Sequence, residues 1–195
     1  MKKLSEYFSL SVVAFLVCAP VAAQEQHPPG QEEAAPSRET ALTLTLNKVI
    51  GQPGKEASLP VLFGRRQGAP NMAKLRVRMS YPGSVLKFNR AEDAYLSRRA
   101  KLQIQAKEEK GAGAESVLEL NFELPDPQAN FPSGQIATVL FDIAAGAPDQ
   151  VVPLKPQAWI DGAEILPDSP TAQIEPGEVR VSENPVFMGC FFFSH

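Results

Sequence analysis

The sequence predicts an all-β fold, a sandwich or barrel of roughly nine short strands. Three observations carry that expectation. Apolar and polar residues alternate with a period of two through most of residues 42–182. Clusters of Gly, Pro, Asn and Asp break the alternation into strand-length pieces. The 18 Pro and 13 Gly leave little room for long helices. Because most pieces are apolar on one side only, each sheet is expected to bury one face and wet the other, with sequential strands antiparallel.

The elements follow in order. Leu42, Leu44 and Leu46 alternate with Thr43, Thr45 and Asn47, and the strand runs on to a turn at Gly51, Gln52, Pro53 and Gly54. Ala57, Leu59, Val61 and Phe63 form one face of the next strand, and residues 64–71 are a polar loop. The clearest alternation sets Leu75, Val77, Met79 and Tyr81 inward and Lys74, Arg76, Arg78 and Ser80 outward. Pro82-Gly83 turns the chain into a short strand at 85–88. Residues 89–99 are ambiguous, with room for a helical turn at 91–97. Leu102, Ile104 and Ala106 alternate with Lys101, Gln103 and Gln105, and a charged hairpin loop is expected over 107–115. Leu118, Leu120, Phe122 and Leu124 then alternate with Glu119, Asn121 and Glu123. Past a loop at 125–133, Ala137, Val139, Phe141 and Ile143 oppose Ile136, Thr138, Leu140 and Asp142. Short strands at 151–154 and 157–160 are broken by proline, and 177–182 closes the set. No internal repeat of fixed period is present.

The ends differ in character. Residues 1–23 read as a secretory signal: Lys2 and Lys3, then an apolar run, then Val21-Ala22-Ala23 as a small-residue cleavage site. Residues 24–40 are an acidic, Pro-rich tether. The domain is expected at 41–182 and an apolar tail at 183–195, with Phe191, Phe192 and Phe193 beside Cys190. Cleavage of the signal removes Cys18 and leaves Cys190 alone, so no internal disulfide is expected. Cys190 is a candidate for modification or attachment. Any membrane contact would come through the signal or this tail. The protein is expected to be exported, to a periplasmic, cell-surface or extracellular location.

Composition excludes several functions. With 19 Lys+Arg against 22 Asp+Glu the net charge is −3, without the basic footprint of a nucleic-acid binder. The two histidines, His27 and His195, lie outside the strand-forming region, which removes His-based acid–base, nucleophile and zinc chemistry. Ser84 and Lys87 match a Ser-x-x-Lys spacing, but they straddle a Pro-Gly corner and a strand instead of one helical turn. Glu119 and Glu123 would stand about 13 Å apart along a strand, too far for a glycosidase carboxylate pair. Asp126, Asp149, Asp161 and Asp168 fall in loops without an Asp-x-Asp-x-Asp run, and Asp161-Gly162 reads as a turn. No cofactor is expected, and a structural calcium has no motif behind it.

The order of elements resembles a cohesin domain. Residues 44–54 leading into Ala57-Ser58-Leu59-Pro60-Val61 are similar to the family's first strand, Gly-containing turn and apolar-Pro-Val strand. Residues 72–88 resemble its third strand, corner and Val-Leu strand, although the corner lacks the family's Asp before Pro82. Residues 133–143 resemble the strand after a Gly-containing turn, and 174–181, with Pro176-Gly177, the final strand. Residues 89–110 are more charged than the family pattern. The resemblance covers about residues 42–182. It implies a roughly nine-stranded antiparallel jelly-roll β-sandwich that is not an enzyme and that binds a dockerin, a small calcium-loaded helical module, across one sheet.

That geometry also implies a site. The strands around Lys74, Arg76 and Arg78, around Gln103 and Gln105, around Glu119, Asn121 and Glu123, and around Ile136, Thr138 and Leu140 would share one sheet. Its outer face would meet the protein partner, with Ile136 and Leu140 as apolar centre and the polar residues as rim. The alternatives are a carbohydrate-binding module of the same sandwich class, with Tyr95 and Trp159 as sugar contacts, and a structural subunit of an envelope assembly. Polysaccharide is disfavoured because few aromatic platforms are present.

Overall fold

The computed structural model describes residues 41–184. The expectations for residues 1–40 and 185–195, Cys190 among them, lie outside the described residues. The alternating segments become two five-stranded sheets and one small one. Strands are numbered in sequence order. In the first sheet, β1 (Leu42–Leu46), β3 (Glu56–Arg65), β5 (Leu86–Asp93), β8 (Gly134–Ile143) and β12 (Ala172–Glu175) stand in the order β12-β1-β3-β8-β5. In the second, β4 (Lys74–Pro82), β6 (Gln103–Lys110), β7 (Glu115–Glu123), β10 (Lys155–Ile160) and β11 (Ala163–Glu164) stand in the order β11-β10-β4-β7-β6. A third sheet, β2-β13-β9, joins β2 (Lys48–Gly51), β13 (Glu178–Val181) and β9 (Gln150–Pro153).

The core lies between the two large sheets. Leu44, Leu59, Val61, Phe63, Val139 and Phe141 come from the first, and Leu75, Val77, Met79, Tyr81, Leu118, Leu120 and Phe122 from the second, all buried. The Tyr81 and Phe141 rings meet across the sandwich edge to face, 5.0 Å apart at 74°. The phase read for residues 74–81 is the phase found, with Val77 and Met79 at 0% exposure. At the end of this row the Tyr81 hydroxyl donates to Glu108 Oε1 at 2.7 Å. Burial, and then that hydrogen bond, push the phenol well above its ordinary range.

Four details differ from the sequence expectation. The first strand splits at Asn47: β1 pairs with β3 and β12, and β2 leaves for β13. The final strand splits in step at Pro176-Gly177, so β1–β12 and β2–β13 are parallel pairs in an otherwise antiparallel fold. The two crossing points touch. A Cβ on Gly177 would stand 2.8 Å from both the Asn47 carbonyl oxygen and Leu46 Cβ, which only glycine avoids. Second, β5 continues to Asp93 and is followed by a one-and-a-half-turn helix, α1 (Tyr95–Ala100), which packs on β8. Third, the charged run Lys107, Glu108, Glu109 and Lys110 extends β6 instead of forming a loop. An edge strand tolerates charge on both of its faces. Fourth, Ala163–Glu164 is a short strand joined to β10 through Asp161 (φ 47°) and Gly162 (φ 89°), the two left-handed residues of a tight hairpin. Asp161 Oδ1 also accepts from the Ala73 and Lys74 amides at 3.0 and 2.9 Å, which ties that turn to the start of β4.

Candidate functional site

Strand register brings eight of the proposed residues onto one surface. On the outer face of β4, β7 and β6, Lys74 stands opposite Glu123, which stands opposite Gln103. In the next row Arg76 faces Asn121 and Asn121 faces Gln105; in the row after, Arg78 faces Glu119. Period two puts these side chains on one side and Leu75, Val77, Leu118, Leu120 and Phe122 on the other.

The fourth strand of this face is β10, not β8. Ile136, Thr138 and Leu140 belong to the opposite sheet, where β8 runs between β3 and β5. Ile136 is fully buried in the core, and Leu140 is 4% exposed. They therefore leave the candidate surface. The reason is visible in composition: β8 is apolar at both parities (Ile136, Ala137, Val139, Leu140, Phe141), as a central strand covered on two sides must be. Leu140 sits across from Ser58 on one side and Arg90 on the other. Arg90 in turn binds Glu56 and Glu92, each at 2.8 Å, and Asn89 donates to Glu56 and Asp142.

In place of those residues β10 contributes Trp159 and Gln157. Trp159 stands opposite Arg76 and Gln157 opposite Arg78. The Arg76 guanidinium lies over the indole ring, Cζ 4.1 Å from its centre. One transverse row across four strands thus reads Trp159, Arg76, Asn121, Gln105. A shallow depression of about 310 Å³ opens there, lined in part by Lys74, Arg76, Gln105, Asn121, Glu123 and Trp159. The sequence marks a strand at 157–160, but the prolines at 153 and 156 leave it too short for its face and its sheet to be read. The outward–inward–outward order of Gln157, Ala158 and Trp159, just before the Asp161-Gly162 turn, is the local hint of the face it presents.

Electrostatically the face is mostly self-paired. Lys74 binds Glu123 at 2.8 Å, Lys107 binds Glu109 at 2.6 Å, and Lys155 approaches Glu115 at 3.7 Å. Hydrogen bonding and then the charge of its partner raise the pKa of Lys74 and Lys107 and lower that of Glu109, where the charge of Arg78 adds the smallest share. Asn121 Nδ2 donates to Glu119 Oε1 at 3.0 Å.

The other singled-out residues are dispersed. Tyr95 is 67% exposed on α1, which packs on β8 and leads into β6. The β6 edge is separated from the β10 of Trp159 by β7 and β4, so the two aromatics do not form one platform. Ser84 lies in the turn before β5 and Lys87 on β5, outside any helix. Among the described residues no group of three or more His, Cys, Asp or Glu is placed to hold a metal ion.

No family model and no curated protein matches the sequence. Solved structures match in fold. A type I cohesin of Clostridium thermocellum, solved in a cohesin–dockerin complex, superposes with a TM-score of 0.56 at 10% identity, covering 73% of this chain and 100% of that one. The sixth cohesin of scaffoldin B from Acetivibrio cellulolyticus, in complex with a Cel5 dockerin, gives 0.54 at 16% identity over 73% and 100%. A non-cellulosomal cohesin from the hyperthermophilic archaeon Archaeoglobus fulgidus gives 0.51 at 16% over 73% and 92%. The described domain is a β-sandwich with the cohesin fold.

Proposed function

We propose that this domain is an exported, non-catalytic protein-binding module that takes its partner on the outer face of β10, β4, β7 and β6. A dockerin-like module is the partner class. The observation that carries the reading is the transverse row Trp159, Arg76, Asn121, Gln105 around its depression. An indole and two planar amides among paired charges supply the amphipathic centre and polar rim of an interface. Solved neighbours of the same fold, found in complex with dockerins, support the partner class. The basic, apolar, small-residue order of residues 1–23 supports export. The absence of histidine from residues 41–184 supports a non-catalytic role. A sugar platform is the weaker alternative, because Arg76 already stacks on Trp159 and Tyr95 stands on another element.

Site-directed photo-crosslinking in the source cells tests the face. A photoreactive residue at Gln105 should trap a protein adduct, and one at Ser58, exposed on the opposite sheet, should not. Adducts from Ser58 alone would move the interface to the other side.

A further inference from the structure

The charges on the proposed docking face are not used evenly. Each of its three lysines has a glutamate: Lys74 with Glu123, Lys107 with Glu109, Lys155 with Glu115. Its two arginines have none. Arg76 contacts the Trp159 ring, and Arg78 stands opposite Glu119, whose Oε1 is taken by Asn121; neither forms an ion pair with a described carboxylate. Arg90, on the outer face of the other sheet, binds two glutamates at 2.8 Å. Arg90 thus spends its guanidinium on carboxylates of its own sheet, whereas Arg76 and Arg78 hold no carboxylate at ion-pair distance, although Glu119 stands opposite Arg78 and the charge of Glu109 is felt there.

A guanidinium over an aromatic ring keeps its planar fork of N–H donors, the arrangement that grips a carboxylate with two parallel hydrogen bonds. Arg76 and Arg78 are two residues apart on one side of β4, about 6.6 Å along the strand. Two carboxylates four residues apart on a helix are separated by about 6 Å along its axis, a matching span. Resting on the docking reading above, we propose that Arg76 and Arg78 recognise an acidic segment of the protein partner, with a pair of carboxylates at that spacing. The depression beside Trp159 receives the carboxylate bound to Arg76, and Asn121 and Gln105 offer amide donors along its wall. A single carboxylate, such as that at the end of a polypeptide, engages only one of the two arginines.

The test selects binders from a random twelve-residue peptide display library against the full-length protein. The enriched peptides are then titrated against wild type, R76Q/R78Q and N121F. Trp159 is the sole tryptophan of the sequence, so its emission reports binding at this site. The expected result is enrichment of peptides with paired Asp or Glu. Their affinity should fall at least about tenfold in R76Q/R78Q and weaken with added salt, as screened charge pairs do. The steric variant N121F should lose them as well. Peptides lost in N121F but retained in R76Q/R78Q would overturn the acidic recognition and leave the docking face standing. Peptides indifferent to both variants, or no enrichment above the bare support, would overturn both.

Discussion

The two outer faces of the sandwich have similar inventories and opposite states. On the first sheet, Arg90, Glu56, Glu92, Asn89 and Asp142 close a network on one another along the strands that include and flank Leu140, itself 4% exposed. On the second, the lysines are paired, but Arg76 and Arg78 hold no carboxylate, and Gln105 and Asn121, the latter bound to Glu119, line a depression beside the indole under Arg76. Charge content alone does not separate a solvated wall from a binding face. The useful signal is which groups are already satisfied from within the molecule, because a self-paired network has little left to offer a partner.

Both faces rest on one core, and breaking it gives the largest effect. Val77→Asp puts an unpaired charge at a fully buried position of β4 and should abolish folding, seen as loss of the β-sheet circular dichroism and of soluble yield. A soluble, cooperatively melting variant would reverse the faces of that strand. Leu140→Ala comes next. Its leucine lies on the outer side of β8 between Ser58 and Arg90, where a gap can partly close, and destabilisation of about 2 kcal/mol in urea titration is expected. Crosslinking from Gln105 should be unchanged; a change would couple the two faces.

Tyr81→Phe is milder, at about 1 kcal/mol for one lost hydrogen bond. It also has a pH signature. Folding raises the Tyr81 pKa above its ordinary value of 10, so the native state favours the neutral phenol. That contribution is complete below pH about 10 and is lost as the pH rises above it. Wild-type melting temperature should therefore fall more steeply above pH about 10 than that of Y81F, and parallel curves would refute the buried Tyr81–Glu108 contact. The smallest effect sharpens the comparison itself. Arg90→Ala should lower the melting temperature slightly by breaking its ion pairs with Glu56 and Glu92, and Arg76→Ala should leave it unchanged while altering the Trp159 emission. The reverse order would mean that the self-paired network and the open arginines have been assigned to the wrong faces.

The strands were legible wherever one parity was apolar and the other polar. Val77, Met79, Leu118, Leu120 and Phe122 are buried where alternation put them, and Lys74, Arg76, Asn121 and Glu123 face outward with Gln103 and Gln105. The Asp161-Gly162 turn was legible because two consecutive left-handed residues suit that dipeptide. Period two fails where a strand is apolar on both sides, as β8 is, since alternation then no longer tells outward from exposed. Where proline shortens a strand, as in β10, the strand at 157–160 is still legible but the face it presents is not.

Sequence by itself determined the β class, the inward set of each amphipathic strand and the outward residues of β4, β6 and β7. Those are properties of neighbouring residues, fixed by the geometry of a single extended polypeptide. Tertiary structure alone decided that β8 lies in the other sheet and β10 completes the face, that the first and last strands change sheets together at Asn47 and Gly177, and that Arg76 meets Trp159. These facts join residues far apart in sequence. They depend on which strand edges pair and on which side chains the resulting packing leaves room for, and no local pattern carries that information.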